Sequence, residues 1–218
     1  MAVTWRRTEV RFRRKTPLVV GFSGAAGVGK TTLVNRLADY FDREGYQVAT
    51  VPEVAREVFA LYRAIGEAQT LEELRAEPEM YLRYQADVCE VMIRREEQAL
   101  ASGAKLVLCD RTMVDNWLYA LLYCTRRDGR AFDHLVCRIT DYLATVPYHW
   151  VVFVPPHGKP LPADPGRARE DSDSQTVQDR LLRLLLGFYR EQLVHLHSAE
   201  MNERYGYMTY LIREWLST

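Results

Sequence analysis

The 218-residue sequence lacks the features that mark membrane, secreted and general polyanion-binding proteins. It has no apolar run near the roughly 20 residues that a membrane-spanning helix requires. Its arginine-rich start is not followed by the apolar segment of a secretory signal. Lys+Arg and Asp+Glu are both 29, so no excess of positive charge favours general binding to nucleic acid. These absences predict a soluble, cytoplasmic protein without a membrane partner.

Cysteine and lysine are also scarce. The four cysteines are widely spaced and include no Cys-x-x-Cys pair, which disfavours a zinc site and a disulfide framework. Only four of the 29 cationic residues are lysines, and the rest are arginines, whose planar guanidinium binds phosphate or carboxylate through two hydrogen bonds. With 48% apolar and 27% charged residues, the composition is typical of a globular domain.

Short apolar runs alternate with segments of helical periodicity, which predicts an α/β fold with a doubly wound, five-stranded parallel sheet and helices on both faces. The predicted strands are 18–23, 47–51, 105–109, 149–154 and 192–197. The predicted helices are 30–44, 53–65, 79–101, 113–125, 132–145, 176–190 and 199–216. Ligands of such sheets bind at the carboxyl ends of the strands.

The chain divides into a basic N-terminal arm, residues 1–16, and one domain, residues 17–218. Residues 155–175 are rich in Pro, Gly, Asp, Arg and Ser and form a predicted loop of about 20 residues, a length that is usually functional. We interpret this loop as a lid. Arg167 and Arg169 alternate within it and are predicted to neutralise transition-state charge on a phosphate, as arginine fingers do.

One motif carries most of the chemistry. The segment GAAGVGKT matches G-x-x-x-x-G-K-[ST] and lies between a predicted strand and a predicted helix, which is the context that a phosphate-binding P-loop requires. Its backbone N–H groups and Lys30 are expected to bind the phosphates of a nucleoside triphosphate, and Thr31 to ligate Mg²⁺. The predicted nucleotide-binding residues are Gly24, Ala25, Ala26, Gly27, Val28, Gly29, Lys30, Thr31 and Thr32.

Charged residues follow the next two strands in the predicted order. Asp110 comes directly after strand 105–109, where a carboxylate is placed to hold Mg²⁺ together with Thr31. Arg111 is predicted to enter the phosphate cleft. Glu53 follows strand 47–51 and is placed to accept the proton of an acceptor hydroxyl.

Four further side chains are predicted to bind an acceptor. Arg56 is one turn beyond Glu53 and is placed to bind an acceptor phosphate or to stabilise Glu53. Asp115 is near the start of the following helix and is placed to contact acceptor hydroxyls. The remaining candidates lie on helix 79–101, where a shared face could stack a base and hydrogen-bond its edge, and they are Tyr81, Tyr84 and Gln85.

At these residues the sequence resembles small P-loop kinases, in particular the deoxynucleoside kinases and the nicotinamide-riboside-kinase-like, AAA-type P-loop domains. The resemblance is carried by GAAGVGKTT, PEVAREV, DRTMVDNWLY and the arginine-containing lid, and it spans roughly residues 18–216. It implies a sheet with strand order 2-3-1-4-5. One departure is Asp-Arg-Thr at residues 110–112, where deoxynucleoside kinases carry Glu-Arg-Ser.

The resemblance also implies roles for individual residues. Glu53 corresponds to the general base, and Asp110 with Arg111 positions that base and the phosphates. Asp115 corresponds to a residue that contacts the sugar and Gln85 to one that reads the base. The lid arginines correspond to Arg167 and Arg169.

Three functions remain open from the sequence. The leading one is an ATP- and Mg²⁺-dependent phosphotransferase acting on a hydroxyl of a nucleoside, nucleotide or nucleoside-like molecule. A polynucleotide kinase is the alternative, since the basic arm could bind a DNA or RNA backbone. The third is a regulatory ATPase. Apolar helix faces also permit a homodimer.

Overall fold

A computed structural model describes residues 17–124, 129–145, 148–156, 172–189 and 191–217. Five parallel strands form one sheet in the order β2-β3-β1-β4-β5, which confirms the predicted fold and strand order. The strands are β1 Leu18–Ser23, β2 Val48–Val51, β3 Leu106–Asp110, β4 Trp150–Phe153 and β5 Leu193–His195. All five coincide with predicted runs to within two residues at each end.

Helices connect the strands and cover the sheet. They are α1 Lys30–Arg43, α2 Ala55–Ala64, α3 Leu71–Ala76, α4 Pro78–Ala101, α5 Met113–Tyr123, α6 Gly129–Thr145, α7 Ser172–Leu186 and α8 Met201–Leu216, with a short 3-10 helix at Gly187–Tyr189. The sequence analysis missed α3, whose six residues are too short to show a helical period. Its start is stabilised by Thr70, whose hydroxyl accepts a hydrogen bond from the Glu73 amide at 3.1 Å.

Helix α7 begins at Ser172, inside the segment 155–175 that was predicted to be a loop. Residues 157–171 of that segment, with Arg167 and Arg169, lie outside the described residues, and so does the arm at residues 1–16. The division into arm, domain and lid therefore stays a prediction.

The central strands are apolar on both faces because helices pack on both. On one face, α1 and α8 contribute Leu37 and Met208 to a buried cluster with Val20 of β1. On the other face, α5 and α7 contribute Leu118 and Leu182 to a second cluster. These clusters explain why the strands read as continuous apolar runs rather than as alternating ones.

A third apolar cluster joins α2, α4, α5 and α6. Its aromatic members include Phe59, Tyr81 and Tyr84, and the rings of Tyr81 and Tyr84 lie 5.6 Å apart. This cluster forms a wall of helices beside the carboxyl ends of β2 and β3, where the candidate site is found. None of the helices in the described part of the chain combines the length and hydropathy needed to cross a membrane.

Strand register brings the predicted chemical groups to one edge of the sheet. Val51 of β2 pairs with Cys109, and Phe22 of β1 pairs with Asp110. The segments that begin at Gly24, Pro52 and Arg111 therefore leave the sheet side by side. This edge is the carboxyl end of all three parallel strands, as expected for a ligand site.

Candidate active site

The P-loop adopts a backbone that depends on its glycines. Gly29 has a φ angle of 92°, in the left-handed region that glycine tolerates. At Gly24, a Cβ atom would lie 2.4 Å from the carbonyl oxygen of Val154, so only glycine fits against the end of β4. The strand before the loop and the helix that begins at Lys30 are both as predicted.

The Lys30 side chain is buried within its own loop. Its ammonium donates hydrogen bonds to the carbonyl oxygens of Gly24 at 2.7 Å and Ala25 at 2.8 Å. Burial, together with the nearby Arg111 guanidinium, lowers the pKa of Lys30 to about 8. Within the described residues the ammonium donates to neutral carbonyls, which a charged phosphate oxygen can replace.

Thr31 and Asp110 meet between the P-loop and β3. The Thr31 hydroxyl donates to Oδ2 of Asp110 at 2.5 Å. Oδ1 of Asp110 is buried and has no hydrogen-bond partner within the described residues. Burial raises the pKa of Asp110 even though the hydroxyl stabilises its charge. One hydroxyl and one carboxylate with a spare buried oxygen are the ligands that Mg²⁺ prefers, so these residues fit that ion.

Glu53 and Arg111 form a close ion pair across the site. Nε and Nη2 of Arg111 both approach Oε1 of Glu53, at 2.7 and 2.6 Å. Nε of Arg56 lies 3.7 Å from Oε2 of the same carboxylate. Burial alone would raise the pKa of Glu53, but Arg111 and then Lys30 outweigh it and hold that pKa at about 2. Glu53 is therefore ionised at neutral pH.

Arg111 has a φ angle of 112°, the one positive value found at a non-glycine residue of the described chain. Such a conformation costs free energy and persists where surrounding contacts enforce it, often at functional sites. Here the turn after β3 directs the guanidinium toward Glu53 and places it 5.4 Å from the centre of the Tyr119 ring. Only 13% of the Arg111 side chain is exposed.

The structure places Asp115, a predicted acceptor-binding residue, beneath the P-loop. Its carboxylate is 1% exposed and does not line the cavity. It accepts hydrogen bonds from the Ser23 hydroxyl at 2.7 Å, the Thr112 amide at 3.0 Å and the Gly24 amide at 3.3 Å. Asp115 and Thr112 form the capping box of α5. Both carboxylate oxygens accept hydrogen bonds from the protein, so in this structure Asp115 links the start of α5 to the P-loop.

A cavity of about 260 Å³ joins the P-loop to the helical wall. Tyr81, Tyr84 and Gln85 line it as predicted, and all three are at least 95% buried. The Tyr84 hydroxyl donates to the Ala55 carbonyl at 2.9 Å, which fixes that ring. The polar and charged side chains around the cavity are Lys30, Thr31, Thr32, Glu53, Arg56, Arg75, Tyr81, Tyr84, Gln85, Asp110, Arg111, Thr112, Asn116 and Tyr119.

Sequence reasoning missed four polar residues of this cavity, which are Arg75, Thr112, Asn116 and Tyr119. Asn116 on α5 donates through Nδ2 to the Gln85 carbonyl at 3.4 Å, while its Oδ1 is buried and has no partner in the described part of the chain. Arg75 on α3 places its guanidinium 4.1 Å from the centre of the Tyr123 ring. A helical period would have pointed to Asn116, because Thr112, Asn116 and Tyr119 share one face of α5.

The loop between β1 and α1, the strand order and the Thr31–Asp110 contact define a P-loop nucleoside-triphosphate-binding fold. Residues 19–204 match the AAA domain family AAA_28, and the chain belongs to that family. No curated protein matches the chain.

Solved structures of the NadR protein share this fold. A complex with NR superposes with a TM-score of 0.68 at 20% identity, covering 95% of this chain and 53% of the NadR chain. A complex with NAD and AMP-PNP gives 0.61 at 21% identity, covering 95% and 51%. The chain thus spans about half the length of these NadR chains. The predicted resemblance to P-loop kinase-like domains is confirmed at the level of family and fold.

Proposed function

We propose that the chain is an ATP- and Mg²⁺-dependent phosphotransferase that moves the γ-phosphate to a hydroxyl of a nucleoside, nucleotide or nucleoside-like molecule. The observation that carries this proposal is one continuous cavity, lined at one part by the P-loop and Glu53 and at another by Tyr81 and Gln85. The aromatic, amide-lined part of the cavity lies beside the P-loop and is suited to a small-molecule acceptor, which favours a phosphotransferase over a regulatory ATPase. NadR complexes with NR and with AMP-PNP lend further support.

The P-loop side of the cavity supplies phosphate binding. Its backbone N–H groups and the N-terminus of α1 attract phosphate oxygens, and Lys30 exchanges its two carbonyl partners for the β- and γ-phosphates. The Thr31 hydroxyl and the Asp110 carboxylate would hold Mg²⁺, which offsets phosphate charge when bound. These groups position the triphosphate and reduce the cost of charge that moves during transfer.

Glu53 accepts the proton of the acceptor hydroxyl. As that oxygen bonds to the γ-phosphorus, the bond from phosphorus to the β,γ-bridging oxygen breaks and ADP leaves. With a pKa of about 2, Glu53 is a weak base, so it takes the proton late, when the hydroxyl oxygen has already lost electron density to phosphorus. Arg111 keeps the carboxylate ionised and oriented through its two short contacts. Arg167 and Arg169 keep their proposed role of closing over the phosphates.

The helical wall selects the acceptor. Tyr81 and Tyr84 present flat apolar surface, and the amides of Gln85 and Asn116 offer a donor and an acceptor to the edge of a heterocycle. Because these amides are buried, a ligand without complementary groups would leave them unsatisfied, and such mismatches discriminate strongly. Arg56, whose side chain is 42% exposed, is placed to reach an acceptor phosphate.

The test uses ATP labelled at the γ-phosphate, Mg²⁺ and two acceptor pools. One pool contains nucleosides, nucleoside monophosphates and nicotinamide riboside, and the other contains single- and double-stranded DNA and RNA with hydroxymethylated bases. Label in the first pool is expected and supports the proposal. Label in the polymer would replace it with a polynucleotide kinase, and release of free phosphate alone would favour a regulatory ATPase. Lys30→Ala should transfer no label in either pool.

A further inference from the structure

The first turn of α8 packs directly against the P-loop. A Cβ atom at Gly29 would come within 2.6 Å of the Met201 methyl group, so the Met201 side chain packs directly on Gly29. Arg36 of α1 donates to the Asn202 side chain at 3.0 Å, which gives a second link between the nucleotide-side helix and α8. No local motif of the P-loop includes this helix, which begins some 170 residues further along the chain.

Arg204 uses this position to reach three separate backbone segments. Its Nη1 donates to the Val28 carbonyl at 2.7 Å, and its Nη2 donates to the Pro155 carbonyl at 2.9 Å. Its Nε donates to the Ser198 carbonyl at 2.6 Å. The guanidinium therefore ties together the P-loop, the chain that leaves β4 and the turn before α8.

Fold stability alone gives a poor account of this arginine. Arg204 is 1% exposed, and within the described residues its guanidinium hydrogen-bonds carbonyls and no carboxylate. Burial lowers the pKa of Arg204, with only partial opposition from Glu200. Arg204 also lies in the first turn of α8, where the helix dipole disfavours a positive charge. A residue that breaks several local rules at once is typical of a functional position.

The contact with Val28 has a geometric consequence for the nucleotide. In a trans peptide the C=O and the following N–H point in opposite directions. Because Arg204 holds the Val28 carbonyl, the Gly29 N–H is directed away from Arg204, and Gly29 lines the cavity. A charged donor on the carbonyl also polarises the peptide and strengthens its N–H as a donor.

We propose that Arg204 is a positioning residue that orients the Gly29 N–H toward bound phosphate and couples the P-loop to the segments at Pro155 and Ser198. It acts through the Val28–Gly29 peptide and does not touch the nucleotide itself. The inference rests on the P-loop binding a nucleotide, and it is independent of which acceptor the enzyme uses.

The test compares Arg204→Met and Arg204→Lys with Arg36→Met as the matched control. Mg·ADP affinity is measured by titration calorimetry and fold integrity by thermal unfolding without nucleotide. We expect Arg204→Met to raise the dissociation constant about tenfold or more. Arg204→Lys should raise it less, because an ammonium keeps part of the carbonyl contacts although it cannot span all three. Arg36→Met also removes a contact to α8, yet it should change affinity by less than about twofold.

The outcomes separate this inference from the proposed function. If the unmodified protein does not bind Mg·ADP, the proposed function itself is contradicted. If it binds and both folded Arg204 variants bind equally well, only the role of Arg204 is overturned. Should Arg204→Met not fold, Arg204→Lys decides alone.

A measurement on the unmodified protein covers the case in which neither variant folds. Mg·ADP is expected to slow amide hydrogen exchange in the P-loop and also at residues 196–200, because Arg204 links the two segments. Protection confined to the P-loop would overturn the coupling.

Discussion

Replacing Glu53 with glutamine should destabilise the protein at neutral pH in addition to slowing transfer. Arg111 and Lys30 hold the pKa of this carboxyl at about 2, below its ordinary value of 4.5. A group whose pKa is depressed on folding contributes stability that is present above the ordinary pKa and lost as the pH falls through the folded value. A difference of roughly 2.5 pH units corresponds to at most about 3 kcal/mol. Glu53→Gln forfeits this contribution and leaves Arg111 without its closest anion.

Glu96 provides a matched substitution with the opposite sign. It is 1% exposed and accepts hydrogen bonds from the hydroxyls of Tyr148 at 2.7 Å and Tyr142 at 2.9 Å. Burial outweighs these bonds and raises the pKa of Glu96 to about 7. The folded state therefore prefers the protonated form, and the stability from this group is full below about pH 4.5 and lost as the pH rises through 7. As the pH rises from 5 to 8, the free energy of unfolding of Glu96→Gln should rise by about 2–3 kcal/mol relative to that of the unmodified protein.

The assay is urea unfolding followed by circular dichroism at several pH values from 5 to 8. The Glu53→Gln deficit should stay nearly constant over this range, whereas the Glu96→Gln difference should become more favourable as the pH rises. In a transfer assay below the unfolding temperature, Glu53→Gln should lower kcat by roughly 10²–10⁴-fold, and Glu96→Gln should leave it nearly unchanged. The electrostatic reasoning would be refuted if Glu53→Gln and the unmodified protein were equally stable at pH 7. It would also be refuted if the stability difference between Glu96→Gln and the unmodified protein did not change with pH.

Three further substitutions test separate parts of the cavity. Lys30→Ala should abolish transfer while the circular dichroism spectrum stays native, because among the described residues the ammonium hydrogen-bonds two carbonyls of its own loop. Asp110→Asn should raise the Mg²⁺ concentration that gives half-maximal rate by about tenfold or more, and an unchanged Mg²⁺ titration would remove Asp110 from the ion site. Asn116→Leu should raise the acceptor KM by roughly 10-fold or more with the ATP KM unchanged, and equal effects on both KM values would contradict its assignment to the acceptor.

The sheet and the P-loop were predictable because their signals are local. A parallel strand covered on both faces is a short apolar run, and five such runs coincide with β1 to β5. It is harder to predict from the sequence which side of a helix faces the cavity, as Asp115 and Asn116 show. The two are adjacent in sequence but about 100° apart around α5, so packing sends one to the P-loop and the other to the cavity. The spacing of Thr112 and Asp115 is itself that of a capping box, which assigns Asp115 to the helix start.

Arg204 had no sequence signal, since no motif or periodicity distinguishes it from the many other arginines of the chain. Its importance comes from contacts with three segments that lie far from it in sequence. A single sequence without structure does not show which residues meet after folding, and only the fold revealed this group. For Glu53 and Arg111, the sequence placed both residues at one sheet edge and the resemblance implied that Arg111 helps to position Glu53. The contact of two Arg111 nitrogens with a single Glu53 oxygen was visible only in the structure.

The P-loop is held near both ends by buried charged side chains of opposite sign. Asp115 of α5 accepts from the Gly24 amide near its start, and Arg204 of α8 donates to the Val28 carbonyl near its end. Neither residue is part of the motif, so the phosphate-binding geometry belongs to the assembled domain and not to the loop sequence alone. The part of the cavity proposed to bind the acceptor contains Gln85 of α4 and Asn116 of α5, on helix faces that point into the cavity. If the proposed function holds, we expect substitutions at Gln85 or Asn116 to change the acceptor without disturbing the contacts that hold the P-loop, so that one fold could serve different acceptors.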